Sequence, residues 1–336
     1  MIVYFPQVTN FARQWTAAVA LVVALAGCGG TGGGGTVGAD GTAGATPPVP
    51  SPSPSARTSP SATQQPVAVT QPPTMAPGAA GLTPVFKRAR QSDDAPDGTA
   101  AGTSDRTSDR TSDRTSAGSA AGEKIVALTF DAVMTVDQGP MAARGERFDN
   151  PALIATLRRL KVPSTVFMTG RWAEEYPGQA RSIGNDPLFE SANHSYSHHA
   201  FASPCYGLPE VDRNQMATEV ERAFEVFRTA GVSNVVPYFR FPGGCYDDDA
   251  LRALAPTKVT AVQWDVISGD AFAKDPAAVA DQVLAGVRPG SLVVMHCTRS
   301  AAPVTERAVE RIVPVLRKRG YRFVKVSELM AAGREQ

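Results

Sequence analysis

Short apolar strands alternate with helical patterns between residues 125 and 326, and this alternation limits the fold more than any other feature of the chain. Seven segments are short and rich in β-branched or aromatic residues, and several are continuously apolar, as buried parallel strands are. These segments are 125–130, 165–168, 188–192, 235–239, 259–264, 292–295 and 321–326. The pattern predicts an α/β fold, an incomplete (β/α) barrel of about seven parallel strands.

The segments between the strands carry the signals of helix ends. Asp149 or Asn150 can cap a helix whose first residue is Pro151. A longer helical pattern runs over residues 210–230 and is stopped by Gly231. These ends support the interpretation as strands joined by helices.

Polar side chains that could act in catalysis or bind a metal follow the ends of the predicted strands. They are Asp131, His194, His198, Arg240, Asp265 and His296. Because strand ends meet on one face of a barrel, we expect these residues to converge there. His194 and His198 are four residues apart, so on a helical turn both imidazoles could bind one cation such as Zn²⁺. The alternative is a polar surface loop in which these histidines have no role.

The N-terminal residues predict export. An apolar run over residues 16–26 follows Arg13 and is too short to span a membrane as a mature helix. The run closes on Leu-Ala-Gly-Cys at Cys28, which resembles the bacterial lipobox and implies cleavage before Cys28 and a lipid on its sulfur. Residues 1–27 are then a lipoprotein-type signal peptide, and the alternative is an ordinary secretory signal with a chance cysteine. Either interpretation places the mature chain outside the cytosol, and the lipid would anchor it on the outer side of the cytoplasmic membrane or in the cell envelope.

Residues 28–122 have the composition of a disordered tether. Gly, Pro, Ser, Thr and Ala dominate, and Phe86 is the one aromatic residue. Such a stretch buries too little apolar surface to offset its ordering entropy. A Thr-Ser-Asp-Arg repeat at 103–114 fits a solvated linker. Residues 123–336 are predicted to form the domain. The formal net charge of the whole chain is +1, and the domain lacks a basic cluster. Both features argue against nucleic acid as a partner.

Five separated motifs of the domain resemble those of the polysaccharide deacetylase family, the NodB-homology or carbohydrate esterase family 4 group. The motifs are Thr129-Phe130-Asp131, Asn193 to His198, Arg240 to Gly244, Trp264 to Asp270, and Val294-Met295-His296. Each motif alone is a weak signal, whereas five in the family's order are a strong one. The resemblance covers about residues 124–329 and implies the TIM-barrel-like NodB fold.

The resemblance also implies a mechanism. His194 and His198 would hold one divalent metal, Zn first and Co, Ni or Mn as alternatives, to activate water and polarise an acetyl carbonyl. Asp131 would be the general base, held ionised by Arg240. His296 would protonate the departing sugar amine. The implied substrate is an N-acetylglucosamine-type polysaccharide of the cell wall or an exported glycan, and no obligate protein partner is evident.

Two positions depart from the family pattern. Ala132 stands where the family has an aspartate ligand to the metal, and either Asp137 or Asp131 itself could supply the missing oxygen. In the fourth motif Ile267 displaces the acid that tunes the catalytic histidine, and we favour Asp270 over Asp265 as its replacement. These losses leave two alternatives to the deacetylase: an impaired glycan-binding module of the same fold, and an amidohydrolase that acts on a non-sugar amide.

The remaining cysteines and aromatic residues give structural and substrate hypotheses. Cys205 and Cys245 both lie near the predicted site and are the expected disulfide pair, which leaves Cys297 as a buried thiol. Trp172, Tyr246 and Trp264 are candidates for binding a sugar ring, and ordinary packing is the alternative for each.

Overall fold

The computed structural model describes residues 71–89 and 123–333. The predicted signal peptide, the lipid site at Cys28 and the Thr-Ser-Asp-Arg repeats lie outside the described residues. Within the described residues, no helix combines the length and the apolar character that a membrane span requires.

A curled sheet forms the centre of the fold, and all its strand pairings among the described residues are parallel. Its strands are β1 (Val85–Phe86), β2 (Ile125–Ala132), β3 (Ser164–Met168), β4 (Phe189–Asn193), β5 (Val235–Phe239), β6 (Thr260–Val262), β7 (Val266–Ile267), β8 (Ser291–His296) and β9 (Arg322–Phe323). The order across the sheet is β1-β6-β5-β4-β3-β2-β8-β7, and β9 also pairs with β2. The α/β barrel-like fold class is therefore confirmed.

Nine α-helices in the described residues connect and flank these strands. They are α1 (Gly139–Ala143), α2 (Pro151–Leu160), α3 (Gly170–Glu175), α4 (Pro177–Gly184), α5 (Met216–Thr229), α6 (Asp248–Leu254), α7 (Pro276–Gly286), α8 (Thr305–Lys318) and α9 (Val326–Ala332). Asn150 caps α2, because its side chain accepts a hydrogen bond from the Leu153 N–H, and Pro151 is the first helical residue.

The strands alternate their side chains between two apolar layers, as the period of a β-strand requires. In β2, Leu128 and Phe130 pack with the helices, whereas Ile125 and Ala127 pack inside the sheet's curve. Asp131 follows this alternation and belongs to the inner face. The pleat of the strands therefore decides which polar side chains enter the interior.

Two of the predicted strands differ from the structure. The segment 259–264 contains only the three residues of β6, and the chain then bends into β7, which pairs with β8 on the other side of the sheet order. The segment 321–326 contains only β9, because Val326 begins α9. Both segments are rich in β-branched and aromatic residues beyond the strand itself, so composition and periodicity alone could not locate the strand ends.

Residues 71–89 belong to the domain, so the prediction that all of 28–122 is disordered is wrong for this segment. β1 pairs with β6, and Phe86 and Ala89 are buried in the inner apolar layer. The Met75 N–H donates to Thr260 Oγ1 at 3.0 Å, and the Tyr238 hydroxyl donates to the Pro73 carbonyl at 2.7 Å. The segment covers the edge of a sheet strand, a contact that average composition could not reveal.

Candidate active site

Four polar side chains reach the inner face at the ends of four strands. Asp131 lies near the end of β2 and is in register with His296 at the end of β8. His194 directly follows β4, and Arg240 directly follows β5. Asp131, His194 and Arg240 are all buried. The predicted convergence of these residues is thus present in the structure, and the pleat and the parallel sheet produce it together.

Arg240 is fully buried and holds the carboxylate of Asp131. Its Nη1 donates to Asp131 Oδ1 at 2.6 Å, and its Nη2 donates to Thr129 Oγ1 at 2.8 Å. Its Nε donates to the Val262 carbonyl at 3.2 Å, and the guanidinium lies 3.9 Å from the ring centroid of Phe167. Burial lowers the pKa of Arg240, and the charge of Asp131 opposes this shift. The carboxylate is therefore fixed in position by a charge-assisted hydrogen bond.

His194 and His198 lie side by side, with ring centroids 5.0 Å apart. His194 Nδ1 lies 2.9 Å from the Arg240 carbonyl, which can only accept, so this nitrogen carries the proton. His194 Nε2 is left with a free lone pair, 3.7 Å from Asp131 Oδ2. Burial lowers the pKa of both imidazoles, that of His198 strongly because the neighbouring His194 adds to the effect. Both rings are thus held in the neutral form that binds metals.

The histidines do not lie on a helical turn as the spacing predicts. Ser195 and His198 have positive φ angles of 69° and 61°. The side chain of Asn193 accepts from the Ser195 N–H, and Ser195 Oγ accepts from the His198 N–H. These local hydrogen bonds compete with helix formation and fold the segment into a loop that still brings the two imidazoles together.

The two imidazoles suit a divalent cation, but the described residues supply no complete set of protein ligands. No group of three His, Cys, Asp or Glu side chains in 71–89 and 123–333 could hold a metal ion. Asp137 is not brought to the histidines: it is exposed and accepts a hydrogen bond from Thr135 in a turn closed by Gln138. Ala132 packs in the helix-side apolar layer. The protein donors that fit are therefore the two imidazoles, with the Asp131 carboxylate nearby.

Asp270 is the carboxylate that holds His296. Its Oδ1 lies 2.8 Å from His296 Nδ1, and its Oδ2 accepts from the His296 N–H at 2.8 Å and from Thr305 Oγ1 at 2.6 Å. Ser268 Oγ also donates to Asp270. Burial alone would lower the pKa of His296, but the charge of Asp270 raises it to about 9. His296 is therefore protonated at neutral pH and can act as an acid.

The other candidate, Asp265, has a structural role. It accepts from the hydroxyl of Ser291 at 2.9 Å and from the Leu292 N–H at 2.7 Å, so it holds the start of β8. Sequence reasoning favoured Asp270 but missed Thr305 and Ser268. The sequence offered no local signal for Thr305, because this residue lies 35 positions from Asp270 in the chain.

The predicted disulfide between Cys205 and Cys245 is present, with the Cα atoms 5.9 Å apart. It joins the loop after β4 to the loop after β5. Cys297 is a free, buried thiol, and burial raises its pKa to about 12. A thiol held protonated in this way is a packing residue and a poor metal ligand.

The three aromatic candidates for substrate contact differ in environment. Trp172 is fully buried, and its Nε1 donates to the Phe148 carbonyl at 2.8 Å, so the prediction that it stacks on a sugar is wrong. The end of β3 leads directly into α3, which buries this ring under the helix layer. Tyr246 is half-buried and stacked on Phe241, and Trp264 is half-buried. These two remain predictions.

Comparisons with known proteins identify the family and the fold. Residues 118–262 match the family model described as polysaccharide deacetylase. A chitooligosaccharide deacetylase of Sinorhizobium fredii is 28% identical over 198 residues, which cover 56% of this chain and 86% of the relative.

Two solved structures share the fold. A peptidoglycan N-acetylglucosamine deacetylase in complex with 4-naphthalen-1-yl-N-oxidanyl-benzamide has a TM-score of 0.52 at 23% identity, over 62% of this chain and 88% of the other. A CE4 family pseudoenzyme from Bacillus anthracis has a TM-score of 0.50 at 23% identity, over 62% of this chain and 66% of the other. At these identities the likeness concerns the fold.

Proposed function

Because the chain belongs to the polysaccharide deacetylase family, the CE4 group with NodB homology, we propose that it removes N-acetyl groups from an N-acetylglucosamine-type polysaccharide. The observation that carries this proposal is that two hydrogen-bonded ion pairs lie at the same set of strand ends. Arg240 holds Asp131, and Asp270 holds His296. Asp131 of the first pair is suited to act as a base and His296 of the second as an acid, and hydrolysis of an amide requires both.

Asp131 would take the proton of the attacking water. Its Oδ1 is occupied by Arg240, so Oδ2, on the side of His194 Nε2, is the oxygen that can accept that proton. Arg240 also fixes the direction of the carboxylate, because the two groups are in contact and shielded from solvent. The water oxygen then forms a bond to the acetyl carbon.

His296 would complete the reaction by giving its proton to the sugar nitrogen as the carbon–nitrogen bond breaks. The products are acetate and a free amine. Asp270 fixes the orientation of the imidazole through Nδ1, which leaves Nε2 to deliver the proton. With a pKa of about 9, this histidine carries its proton across the neutral range.

A divalent metal fits the two neutral imidazoles of His194 and His198, and members of the CE4 family are metal-dependent. When bound, such an ion would supply Lewis-acid polarisation of the carbonyl and a more acidic water. We propose Zn²⁺ as the first candidate because imidazole nitrogen suits it, with Co²⁺, Ni²⁺ or Mn²⁺ as alternatives.

Export and lipid anchoring are also proposals. The signal-like residues before Cys28 support them. The Cys205–Cys245 disulfide adds independent support, because such bonds persist in oxidising compartments. A domain held outside the cytoplasmic membrane would meet wall polysaccharide or exported glycans.

A glycan-binding domain without turnover is the second candidate. It is favoured by Ala132 at the position of the family's aspartate ligand and by the lack of a three-ligand group in the described part of the chain. Against it stand the couples of Asp131 with Arg240 and of His296 with Asp270, which binding alone would not need.

The test is acetate release from N-acetylglucosamine oligomers by the full chain, after chelation and again with Zn²⁺ restored. Metal-dependent release that is lost in His194→Ala supports the deacetylase. Oligomer binding without acetate release supports the binding domain. Acetate released only from small non-sugar amides would identify an amidohydrolase of a different substrate class.

A further inference from the structure

Two exposed aromatic side chains lie on loops that also carry residues of the active site. Tyr206 is 79% exposed and Phe272 is 57% exposed. A single exposed ring is ordinary on a protein surface, whereas exposed apolar side chains on loops around one site are typical of a ligand-binding groove. Neither residue is used by the reaction described above.

The backbone holds both rings in a conformation that bulky residues disfavour. φ is 50° at Tyr206 and 59° at Phe272. Residues of this size seldom adopt a left-handed φ, and such strain clusters at functional sites. Ser195 and His198 in the same region also have positive φ.

Each ring is tied to a part of the catalytic apparatus. Tyr206 follows Cys205, whose disulfide fixes it to the loop after Arg240. A Cβ atom on Gly243 would lie only 3.2 Å from Cδ2 of Tyr206, so this ring rests against the backbone just beyond Arg240. Phe272 lies two residues after Asp270, and its N–H donates to the Ala301 carbonyl at 2.6 Å.

The order of the sheet places the two loops on opposite sides of the base. Tyr206 lies in the loop after β4, and Phe272 lies in the loop after β7. β2, which carries Asp131, stands between them in the order β4-β3-β2-β8-β7, two strands from each. The loops that carry the two rings therefore leave the sheet on opposite sides of β2, and the contact of Tyr206 with Gly243 keeps its ring on the β5 side.

We propose that Tyr206 and Phe272 are stacking platforms for sugar residues on either side of the one that loses its acetyl group. The proposal rests on the proposed deacetylase function and narrows its substrate to a glycan chain longer than two sugars. The C–H face of a pyranose packs on an aromatic ring while its hydroxyl groups stay in water. Platforms held rigid before binding reduce the ordering cost of association.

The experiment compares Tyr206→Ala, Phe272→Ala and the ring-retaining controls Tyr206→Phe and Phe272→Tyr with the parent full chain. kcat and KM are measured on N-acetylglucosamine and on its oligomers of two to six sugars, and Kd is measured for the same ligands by calorimetry. Each alanine variant should raise KM for the hexamer about fivefold, with kcat and the kinetics on the single sugar little changed. The ring-retaining variants should match the parent.

Hexamer kinetics and Kd that are unchanged in both alanine variants would overturn the proposal. An equal loss on the single sugar and on the hexamer would also overturn it, because that result indicates general damage to the site. If the parent binds the hexamer but releases no acetate, the deacetylase function is wrong while the platforms can still be tested. The test is then whether the alanine variants weaken Kd more for long oligomers than for short ones. Thermal unfolding of each variant identifies a folding defect. If an alanine variant does not fold, Tyr206→Phe and Phe272→Tyr are still compared with the parent.

Discussion

Replacing Asp270 by Asn should remove the proton that His296 is proposed to donate. The variant keeps the size of the side chain, but its single carbonyl oxygen can accept either from Ser268 Oγ and His296 Nδ1 or from the His296 N–H and Thr305 Oγ1. It removes the negative charge 2.8 Å from His296 Nδ1. Burial lowers the pKa of the imidazole, and in the variant the charge of Asp270 no longer raises it. The pKa of His296 should therefore fall to 6.5 or below.

The size of the effect follows from the pKa of His296, which rises from 6.5 to about 9 in the folded chain. At about 1.4 kcal/mol per pKa unit, the charged couple stabilises the fold by about 2–3 kcal/mol, allowing for the 28% exposure of the His296 side chain. Because the folded pKa of His296 is raised, this stability is fully present below pH 6.5 and is lost as pH rises through about 9. Asp270 has a lowered pKa, so its contribution is lost at the acid end, as pH falls below 3.8.

NMR titration of the histidine ring protons measures the pKa of His296 directly, and acetate release gives the pH dependence of kcat. In the parent, both should show a transition near pH 9. In Asp270→Asn, the histidine transition should move to pH 6.5 or below, and kcat at pH 7.5 should fall by at least about tenfold, because an imidazole with a pKa of 6.5 is only about one-tenth protonated there. Asp265→Asn is the matched control and should leave the His296 transition in place. An unchanged His296 titration in Asp270→Asn would refute the electrostatic argument.

Three further results are expected from the packing of the fold. Phe86→Ala should lower the free energy of unfolding, measured in urea, by about 3 kcal/mol because it empties a buried position. Lys87→Ala, at the exposed neighbouring position, should change it by under about 0.5 kcal/mol. Equal effects of the two variants would show that residues 71–89 are not part of the domain. Thr129→Val should cost about 1–3 kcal/mol and reduce kcat because it leaves Arg240 Nη2 without its partner, and Thr129→Ser should restore both. Cys297 should resist a thiol reagent at pH 8 in the native chain and react in denaturant, and fast native labelling would contradict its burial.

The strands and the site residues could be predicted because both depend on local pattern. Asp131 and His296 follow apolar strands, and the parallel sheet brings such positions together whatever their distance in sequence. Asp270 could be favoured over Asp265 from loop spacing, and the structure explains the difference: one holds His296 and the other holds the start of β8.

What could not be predicted depends on contacts between distant segments. Phe86 lies in a stretch whose composition suggests disorder, and only the uncovered edge of β6 gives it a place in the sheet. Trp172 looks like a sugar-binding residue at a strand end, but α3 starts at once and buries it. Asp137 is close to Asp131 in sequence, yet a tight turn keeps it at the surface. In each case tertiary packing overrides the local signal.

The proposal that Asp131 is the base of an N-deacetylase is tested most directly by acetate release from a hexamer of N-acetylglucosamine. The parent full chain and Asp131→Asn are compared at pH 7.5 with Zn²⁺ present, and the released acetate is quantified against the free amines formed. The parent should release acetate and amine in equal amounts, and Asp131→Asn should be slower by about 10²–10⁴-fold. Equal rates for the two chains, or no release by the parent, would contradict the proposed function.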